Sequence, residues 1–389
     1  MTRSLPAHRS GGLETHTWDL ARGLCRRGHR VFILTTAHPD KRRRENVEGV
    51  EIHYINGTKP SLYTPFFFSR LNRYLLNLHD KENFDLIHSE GFAGLTFHPP
   101  ERLSFVATLH GTLFSETPLF RDQFQGITAF QKLKTLWRYR WRVMIKPLYA
   151  RFLKRLDMIF VDSRFSYNET LHDCPEIKDK LRIVPLGIDV SAPPSLDKIA
   201  ARKRLGLDQD KIILFTLSRL EKMKGAQLAL QAVSLIDRPD IIYLIGGEGG
   251  MRKELESMIG KMKPGLVRLL GKIPDEQRGD YLTAADLFLY PEISQPAFGL
   301  VSIESMFHGT PVLASDAGAI PEIVTPEVGW TFKKGDERSL YEKLAALLPH
   351  AKDFHQESGR LRQYVMERYT LDMFLDKTLE IYEEALGNV

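Results

Sequence analysis

Between residues 290 and 325, a glycine is followed by a short apolar segment that carries one acidic residue. Gly299 lets a ligand approach the backbone closely, and Leu300 and Val301 begin a helix whose positive end suits phosphate. Glu304 follows on the first turns of that helix, within reach of a ribose. The segment therefore predicts one half of a nucleotide-binding crevice, and an ordinary βαβ crossover with a glycine turn is the alternative.

Two cations and a second glycine-rich loop precede this segment. Arg219 and Lys224 follow an apolar run, and such a pair can neutralise a departing diphosphate without a metal ion. Gly247 and Gly249 belong to the sequence GGEGG after the next run, and Lys272, after a third run, is placed to border a base pocket. Each residue alone is also typical of a surface cation or a turn glycine, so their order in one chain is the stronger signal.

The first half of the chain contributes a glycine-rich loop and a histidine at a strand end. Gly12 lies where the sequence PAHRSGGLETH enters a helix predicted over residues 13–27. His110 follows the apolar run 105–109, at the carboxyl end where open parallel sheets bind their ligands. A single histidine at such a position is either structural or catalytic.

Short apolar runs alternate with helical segments in both halves, which predicts an α/β fold with parallel strands buried on both faces. A length of 389 residues suits two Rossmann-like domains that face each other across a cleft. A Pro-Gly turn and a linker place the predicted domains at 1–188 and 189–365, and a terminal helix over 366–389 is expected to pack back toward the first domain. The predicted strands are 31–36, 50–55, 85–88, 105–109, 158–161, 212–217, 241–245, 267–270, 287–290 and 312–314.

No apolar run precedes the loop at Gly12. A doubly wound domain needs a strand there. We therefore expect the first strand of the first domain to be missing from a chain that is truncated or begins internally.

The composition is that of a soluble globular protein, with 43% hydrophobic and 26% charged residues. Cys25 and Cys174 fit neither a metal-ligand spacing nor a disulfide framework, which favours a reducing compartment. There is no apolar run of the roughly 18 residues that a membrane span needs and no signal peptide, so a cytoplasmic protein is expected. The net charge of +5 is small, so the positions of the basic residues matter more than their sum.

Residues 132–155 carry many Lys and Arg residues and no acidic residue. Arg138 and Arg142 form a basic row beside Trp141, and interleaved aromatic and basic side chains suit a helix lying on an anionic membrane face. The alternative is an amphipathic helix that covers the core with a solvated basic edge. No nucleic-acid recognition motif accompanies the segment, so no nucleic-acid partner is expected.

Together these motifs resemble one family, the large retaining glycosyltransferases with the GT-B fold (glycosyl transferases group 1), which includes glycogen-synthase-like and phosphatidylinositol mannosyltransferase-like enzymes. The resemblance covers nearly the whole chain. The residues that carry it are Gly11 to Glu14, His110 and Gly111, Pro185 to Asp189, Arg219, Lys224, Gly247 to Gly249, Phe298 and Gly299, Glu304, and Gly309 to Val312.

The resemblance implies a role for each matching position. His110 and Glu304 would be the catalytic residues, with His110 beside the anomeric carbon and Glu304 accepting hydrogen bonds from the ribose. Transfer would retain the anomeric configuration and need no metal ion and no cofactor besides the nucleotide diphosphate sugar. The implied donor-binding residues are Gly12, Arg219, Lys224, Gly247, Gly249, Lys272, Gln295, Phe298, Gly299, Leu300, Val301 and Glu304.

One position departs from the family pattern. A Glu usually stands eight residues before the position of Glu304 and contacts the donor sugar, but this chain has Pro296 there, as though Ala297 had been inserted. Gln295 precedes it and can still hydrogen-bond sugar hydroxyls, but it has no negative charge to stabilise an oxocarbenium-like centre. Glu292 is the candidate substitute.

The leading hypothesis is a cytoplasmic hexosyltransferase, peripheral on the inner face of the plasma membrane. It would move a hexose from a nucleotide diphosphate sugar to a lipid-linked or polysaccharide acceptor, for example in lipopolysaccharide synthesis. One alternative is a catalytically weak or inactive nucleotide-sugar-binding relative, which the departure at Gln295 and the missing strand favour. The other is a nucleotide-sugar epimerase on the same fold.

Overall fold

The structure is a computed structural model that describes residues 1–9, 11–111, 140, 144–192 and 194–387. The chain forms two compact units. The first contains Met1–Gly187 and the chain from Leu371 onward, and the second contains Ile188–Thr370. The second unit continues to Thr370 rather than to the predicted residue 365, and its two ends meet there, because Ile188 pairs with Thr370 in a short parallel bridge.

The first unit has two small sheets. Its strands are β1 (Phe32–Thr35), β2 (Arg44–Val47), β3 (Val50–Tyr54), β4 (Leu86–Glu90), β5 (Ser104–Leu109), β6 (Met158–Val161) and β7 (Leu181–Ile183). The order is β1-β3-β2 in one sheet, where β2 runs antiparallel to β3, and β4-β5-β6-β7 in the other, which is parallel throughout. Its helices are α1 (Gly12–Arg26), α2 (Pro65–Glu82), α3 (residues 144–155), α4 (Arg164–Asp173), a 3-10 helix (Pro175–Lys180) and the C-terminal helix α13 (Leu371–Gly387).

Helix α2 shows how the sequence defines an element. The side chain of Thr64 accepts a hydrogen bond from the amide of Phe67, and Pro65 occupies the first turn, where a missing amide proton costs nothing. Phe67, Leu71 and Leu75 recur every four residues and are buried in the core of the unit. One face of α2 is therefore fixed in the core, and the opposite face is solvent-exposed.

The sequence predicted that the first strand of this unit is missing. At that place the structure has a short connection between the two sheets. The amide of Thr2 donates to the carbonyl of Leu34 in β1 (3.0 Å), and the amide of Glu90 in β4 donates to the carbonyl of Met1 (2.8 Å). Met1 and Thr2 therefore link the two sheets at one point. A cavity of about 540 Å³ lies beside this link, lined in part by residues of β1 and β4.

The second unit is one parallel sheet covered by helices. Its strands are β8 (Ile212–Leu217), β9 (Ile241–Gly246), β10 (Val267–Gly271), β11 (Leu287–Tyr290), β12 (Val312–Ser315) and β13 (Gly329–Phe332), in the order β10-β9-β8-β11-β12-β13. Its helices are α5 (Lys198–Leu205), α6 (Ala226–Ser234), α7 (Arg252–Ile259), α8 (Asp275–Ala284), α9 (Leu300–Phe307), α10 (Ile320–Ile323), α11 (Glu337–Leu347), α12 (Ser358–Arg368) and the 3-10 segments Lys222–Lys224 and Leu348–Glu357.

Backbone hydrogen bonds join the loops at the carboxyl edge of this sheet. The amide of Leu220 donates to the carbonyl of Glu248 (2.8 Å), and the amide of Gly247 donates to the carbonyl of Gly271 (2.7 Å). Gly247 has φ 129°, and a Cβ there would lie 1.8 Å from the carbonyl oxygen of Ser218. The glycine is needed because the two loops touch backbone to backbone.

We expect Gly247→Ala to destabilise the second unit more than the matched substitution Gly206→Ala. A Cβ at Gly206 (φ 62°) meets no atom within 4 Å, so alanine there costs about 1 kcal/mol through backbone strain alone. At Gly247 the collision with Ser218 adds to the strain, and a total loss of about 3 kcal/mol is expected. Urea unfolding followed by circular dichroism measures both, and equal losses would show that the loops yield without cost.

Candidate active site

The second unit places its predicted site residues at a topological switch point. β9 and β10 lie on one side of β8, whereas β11, β12 and β13 lie on the other. Such a reversal opens a crevice at the carboxyl ends of the two central strands. Arg219 and Lys224 follow β8, and residues 291–299 follow β11, so the fold brings these two groups to one place.

Lys224 is held by a buried carboxylate. Its Nζ lies 2.6 Å from Oε2 of Glu292, which is completely buried. The other carboxylate oxygen of Glu292 accepts from the hydroxyl and the amide of Ser294. Glu292, the candidate substitute for the sugar contact, is thus occupied in fixing Lys224. Arg219 lies on the exposed part of the same loop, 2.5 Å from the carboxylate of Glu221.

The loop before α9 has a fixed shape. The carbonyl of Pro296 accepts from the amide of Ala319 (3.0 Å), and the buried ring of Phe298 packs edge-on against Tyr369, with centroids 5.8 Å apart. Phe298 therefore supports the loop from the core side, and Gln295 is half-buried within it.

The N-terminal end of α9 suits an anion. Gly299 precedes it with φ 146° and provides no side-chain cap, so the first amides of the helix, those of Leu300 and Val301, can donate to a ligand. Glu304, one turn later, accepts from Arg278 of α8 through Oε2, which leaves Oε1 to accept from a ligand. No feature of the sequence indicates Arg278, because residue spacing does not show that α8 packs beside α9.

The remaining donor residues of the second unit lie on the joined loops. Gly247 and Gly249 both have positive φ, and the exposed Lys272 directly follows Gly271, whose carbonyl accepts from Gly247. The two glycines shape the loop that carries Arg219, which is a structural reason for glycine at these positions. Lys272 and Arg219 are both exposed, whereas Lys224 is half-buried.

In the first unit, three adjacent strands bring charged side chains together. β4 ends at Glu90, and His110 and Asp162 are the residues that directly follow β5 and β6. Pairing sets Glu90 opposite Thr108 and Leu109 opposite Val161, so the three side chains meet at the carboxyl edge. Sequence reasoning selected His110 alone, although Glu90 and Asp162 also stand at strand ends.

His110 lies between two carboxylates. Its Nε2 is 2.7 Å from Glu90 Oε2 and its Nδ1 is 3.0 Å from Asp162 Oδ2. Burial opposes the charged imidazolium, but the charges and hydrogen bonds of both carboxylates outweigh it and raise the pKa of His110 to about 10. Burial also opposes ionisation of Glu90, yet the hydrogen bond from His110 and the neighbouring histidines hold its pKa well below the usual range. At neutral pH the imidazolium donates from both nitrogens, so it cannot act as a base.

Helix α1 adds a histidine to this cluster. Gly12 is its first residue, and one turn later the buried His16 stacks edge-on against His110, with centroids 4.9 Å apart. Within the described part of the chain, His16 Nε2, Glu90 Oε1 and Asp162 Oδ1 are buried without a hydrogen-bond partner. Nε2 of His16 and Oε1 of Glu90 face each other at 3.9 Å, and Nε2 of His88 lies 3.5 Å from the same Glu90 oxygen. Ligand atoms of His16, Glu90 and His110 also lie within 4.8 Å of one another, which is a spacing that a metal site could have, but both nitrogens of His110 are already bound to carboxylates.

The predicted membrane residues Arg138, Trp141 and Arg142 lie outside the described residues. Among the helices that the structure describes, none is both long enough and apolar enough to cross a membrane. Cys25 and Cys174 are free thiols.

Two protein-family models match the chain. Residues 10–192 match Glycosyltransferase Family 4, and residues 197–362 match Glycosyl transferases group 1. The chain is 25% identical to an uncharacterized glycosyltransferase of Methanocaldococcus jannaschii, over 99% of this chain and 97% of the relative. It is 26% identical to the phosphatidyl-myo-inositol mannosyltransferase of Mycobacterium leprae, over 96% and 93%.

A solved structure shows the same fold. Sucrose-phosphate synthase from Thermosynechococcus elongatus superposes on this chain with a TM-score of 0.82 at 20% identity. The match covers 100% of this chain and 99% of that one. The predicted fold class, α/β of the GT-B type, is confirmed.

The charge state of His110 predicts a pH-dependent stability. Its pKa is raised from 6.5 to about 10 on folding, so its contribution is fully present below about pH 6.5 and is lost as the pH rises through about 10. The difference in unfolding free energy between the wild type and His110→Gln should therefore shrink over this interval. Urea unfolding at several pH values measures it, with His350→Gln, an exposed histidine, as the control. A constant difference would mean that His110 is not an imidazolium.

Removal of the Lys224 ammonium should leave a buried charge unpaired. We expect Lys224→Met to lower the free energy of unfolding by about 3 kcal/mol, because the Glu292 carboxylate loses its counter-ion. Adding Glu292→Gln to that variant should restore most of the loss, since the amide oxygen still accepts from Ser294. Urea unfolding compares both with Lys222→Met, an exposed lysine of the same 3-10 segment. If Lys224→Met and Lys222→Met were equally stable, the ion pair would not hold this loop.

Proposed function

Because the chain belongs to the glycosyl transferases group 1 family, we propose that it is a retaining hexosyltransferase. It moves a hexose from a nucleotide diphosphate sugar to a lipid-linked or polysaccharide acceptor, and it needs neither a metal ion nor a cofactor besides the donor. The observation that carries the proposal is the ion pair of Lys224 with the buried Glu292 at the switch point. It fixes an ammonium at the same sheet edge as the uncapped start of α9.

The donor roles follow from the charges at that edge. Lys224 and Arg219 bind the diphosphate, and the amides of Leu300 and Val301 donate to its oxygens. Glu304 accepts from the ribose hydroxyls through the oxygen that Arg278 does not use. As the bond between the anomeric carbon and the diphosphate breaks, these donors stabilise the negative charge that develops on the leaving group.

The cluster around His110 binds hydroxyl groups. The acceptor oxygen attacks the anomeric carbon on the face that the diphosphate leaves, and its proton passes to a phosphate oxygen. His110 keeps the carboxylates of Glu90 and Asp162 in place, and their unpaired oxygens accept from sugar hydroxyls. His110 therefore acts through charge and position and not as a base.

A lipid-linked acceptor is supported by a relative. The Mycobacterium leprae protein is named a phosphatidyl-myo-inositol mannosyltransferase and aligns with nearly the whole chain. We further propose that the protein is cytoplasmic and peripheral to the inner membrane face, where a lipid-linked acceptor would be presented.

Donor binding and transfer by the purified chain test the proposal. We expect ligand-detected NMR to show selective binding within a panel of UDP-, GDP- and ADP-sugars, and transfer to added lipid or glycan acceptors with retained configuration in the presence of EDTA. Glu304→Gln should weaken nucleotide binding about tenfold, since one acceptor of the ribose loses its charge. His110→Gln should lower turnover at least about tenfold and leave nucleotide binding within about twofold.

Three outcomes would contradict the proposal. Nucleotide binding without turnover would favour an inactive relative, and recovery of turnover by Gln295→Glu would trace the loss to that position. Conversion of the donor sugar without any acceptor would favour the epimerase. Equal loss of binding and turnover in His110→Gln would make that residue structural.

A further inference from the structure

The first unit contains a basic cavity that shares no residue with the cluster around His110. Its volume is about 510 Å³, and its wall is formed by the start of β2, the carboxyl end of β3 and one face of α2. Four arginines line it, namely Arg43, Arg44, Arg70 and Arg73. Among the described residues that line the cavity, none is acidic. Such a group of guanidinium ions attracts an anion.

Two of the arginines have side chains without a partner among the described residues. Arg70 donates from Nη1 to the carbonyl of Asn56 (2.5 Å). The side chains of Arg43 and Arg73 form no hydrogen bond or ion pair with any residue that the structure describes. Their donors are therefore available to a ligand, and guanidinium groups bind phosphate oxygens in pairs.

A third arginine is oriented by neutral groups. The hydroxyl of Tyr74 accepts from Arg44 Nη2 (2.8 Å) and lies 2.9 Å from Nδ1 of the buried His53, to which it can donate. Burial, and then the charge of Arg44, lower the pKa of His53, so its imidazole is a neutral acceptor. Glu45 on β2 is nearby, but its carboxylate is paired with Arg42 outside the cavity (2.7 Å) and also accepts from the hydroxyl of Tyr54. The four positive charges thus repel one another, since no described lining residue supplies a carboxylate, and a bound phosphate would relieve that repulsion.

An exposed aromatic ring stands next to the cavity. Phe66 is 67% exposed, and the guanidinium of Arg70 lies 5.7 Å from the centroid of its ring. Phe66, Arg70, Arg73 and Asn77 succeed one another every three or four residues, so they share the face of α2 opposite its buried side. A helix face with arginines beside an apolar ring suits the boundary between lipid headgroups and acyl chains.

We propose that this cavity binds a phosphate group of an anionic lipid, with Phe66 inserted among the headgroups. The arginines supply paired donors to the phosphate oxygens, and the ring supplies apolar contact beside them. The inference rests on the proposed function for its lipid, since the acceptor there is lipid-linked. Lipid binding itself requires neither the donor nor transfer, so its failure and the failure of the proposed function are separable.

Vesicle flotation of the full chain without nucleotide sugar tests the site. We expect binding to phosphatidylcholine vesicles that contain phosphatidic acid and little binding to phosphatidylcholine alone. Arg43→Gln with Arg73→Gln should weaken binding about 25-fold, because each basic residue at a membrane surface contributes about fivefold. The matched control, Arg338→Gln with Arg360→Gln, removes two exposed arginines of the second unit and should change binding less than about threefold.

Two further measurements decide the ligand. Phe66→Ser should also weaken vesicle binding, and glycerol 3-phosphate should not release the protein at concentrations equal to the lipid phosphate. Release at equal concentration would show that the cavity takes a soluble phosphate and would overturn the lipid assignment. Equal weakening by the cavity and control pairs would show attraction by net charge alone and no site. Nucleotide binding by the cavity variants should equal that of the wild type, which separates this site from the donor site.

Discussion

Parallel strands end at the same edge of a sheet, and the charged clusters of both units depend on that constraint. In the first unit the register of β4, β5 and β6 brings Glu90, His110 and Asp162 within hydrogen-bond distance. Burying three ionised groups costs several kcal/mol for each, and the cost is offset only because the cation lies between the anions. A shift of one residue in either pairing would turn one of these side chains to the other face of the sheet and leave a buried charge alone.

The second unit uses the same arrangement with other residues. Lys224 is fixed by the buried Glu292, and Glu304 is fixed by Arg278 of the adjacent helix. Buried pairs of this kind add little net stability, but each holds a charged atom in one position. The hydrogen bonds between the loops after β8, β9 and β10 also restrict position, because they limit the motion of the loop that carries Arg219.

Strands that are apolar and buried could be predicted from the sequence. Strands that form only because they pair with a neighbouring strand could not. Strands β6, β8 and β11 were predicted with the bounds that the structure shows, since runs of Val, Ile, Leu and Phe are buried on both faces. β2 was missed because its sequence RENV is polar and mostly exposed, and only its hairpin with β3, through the turn at Gly49, makes it a strand. β13 was missed because the run GWTF is short and begins with glycine.

The same distinction applies to the candidate site. His110, Arg219 and Lys224 could be identified because each follows a predicted strand. That step needs only the order of elements along the chain. Their partners Glu90, Asp162, Glu292 and Arg278 depend on which strands and helices are neighbours, and spacing in the sequence does not contain that information.

The donor edge and the cavity beside α2 differ in the groups that neutralise their cations. At the donor edge Glu292 neutralises Lys224, so the ammonium has a fixed position and only part of its charge attracts an anion. No described residue that lines the cavity beside α2 is acidic, so its arginines attract an anion more strongly, while the side chains of Arg43 and Arg73 form no hydrogen bond with any described residue. A fixed, partly neutralised cation suits a leaving group, because the negative charge on its oxygens has to be stabilised in one position as the bond breaks. An unneutralised cluster suits a ligand that is only held, and for which strength of attraction matters more than exact placement.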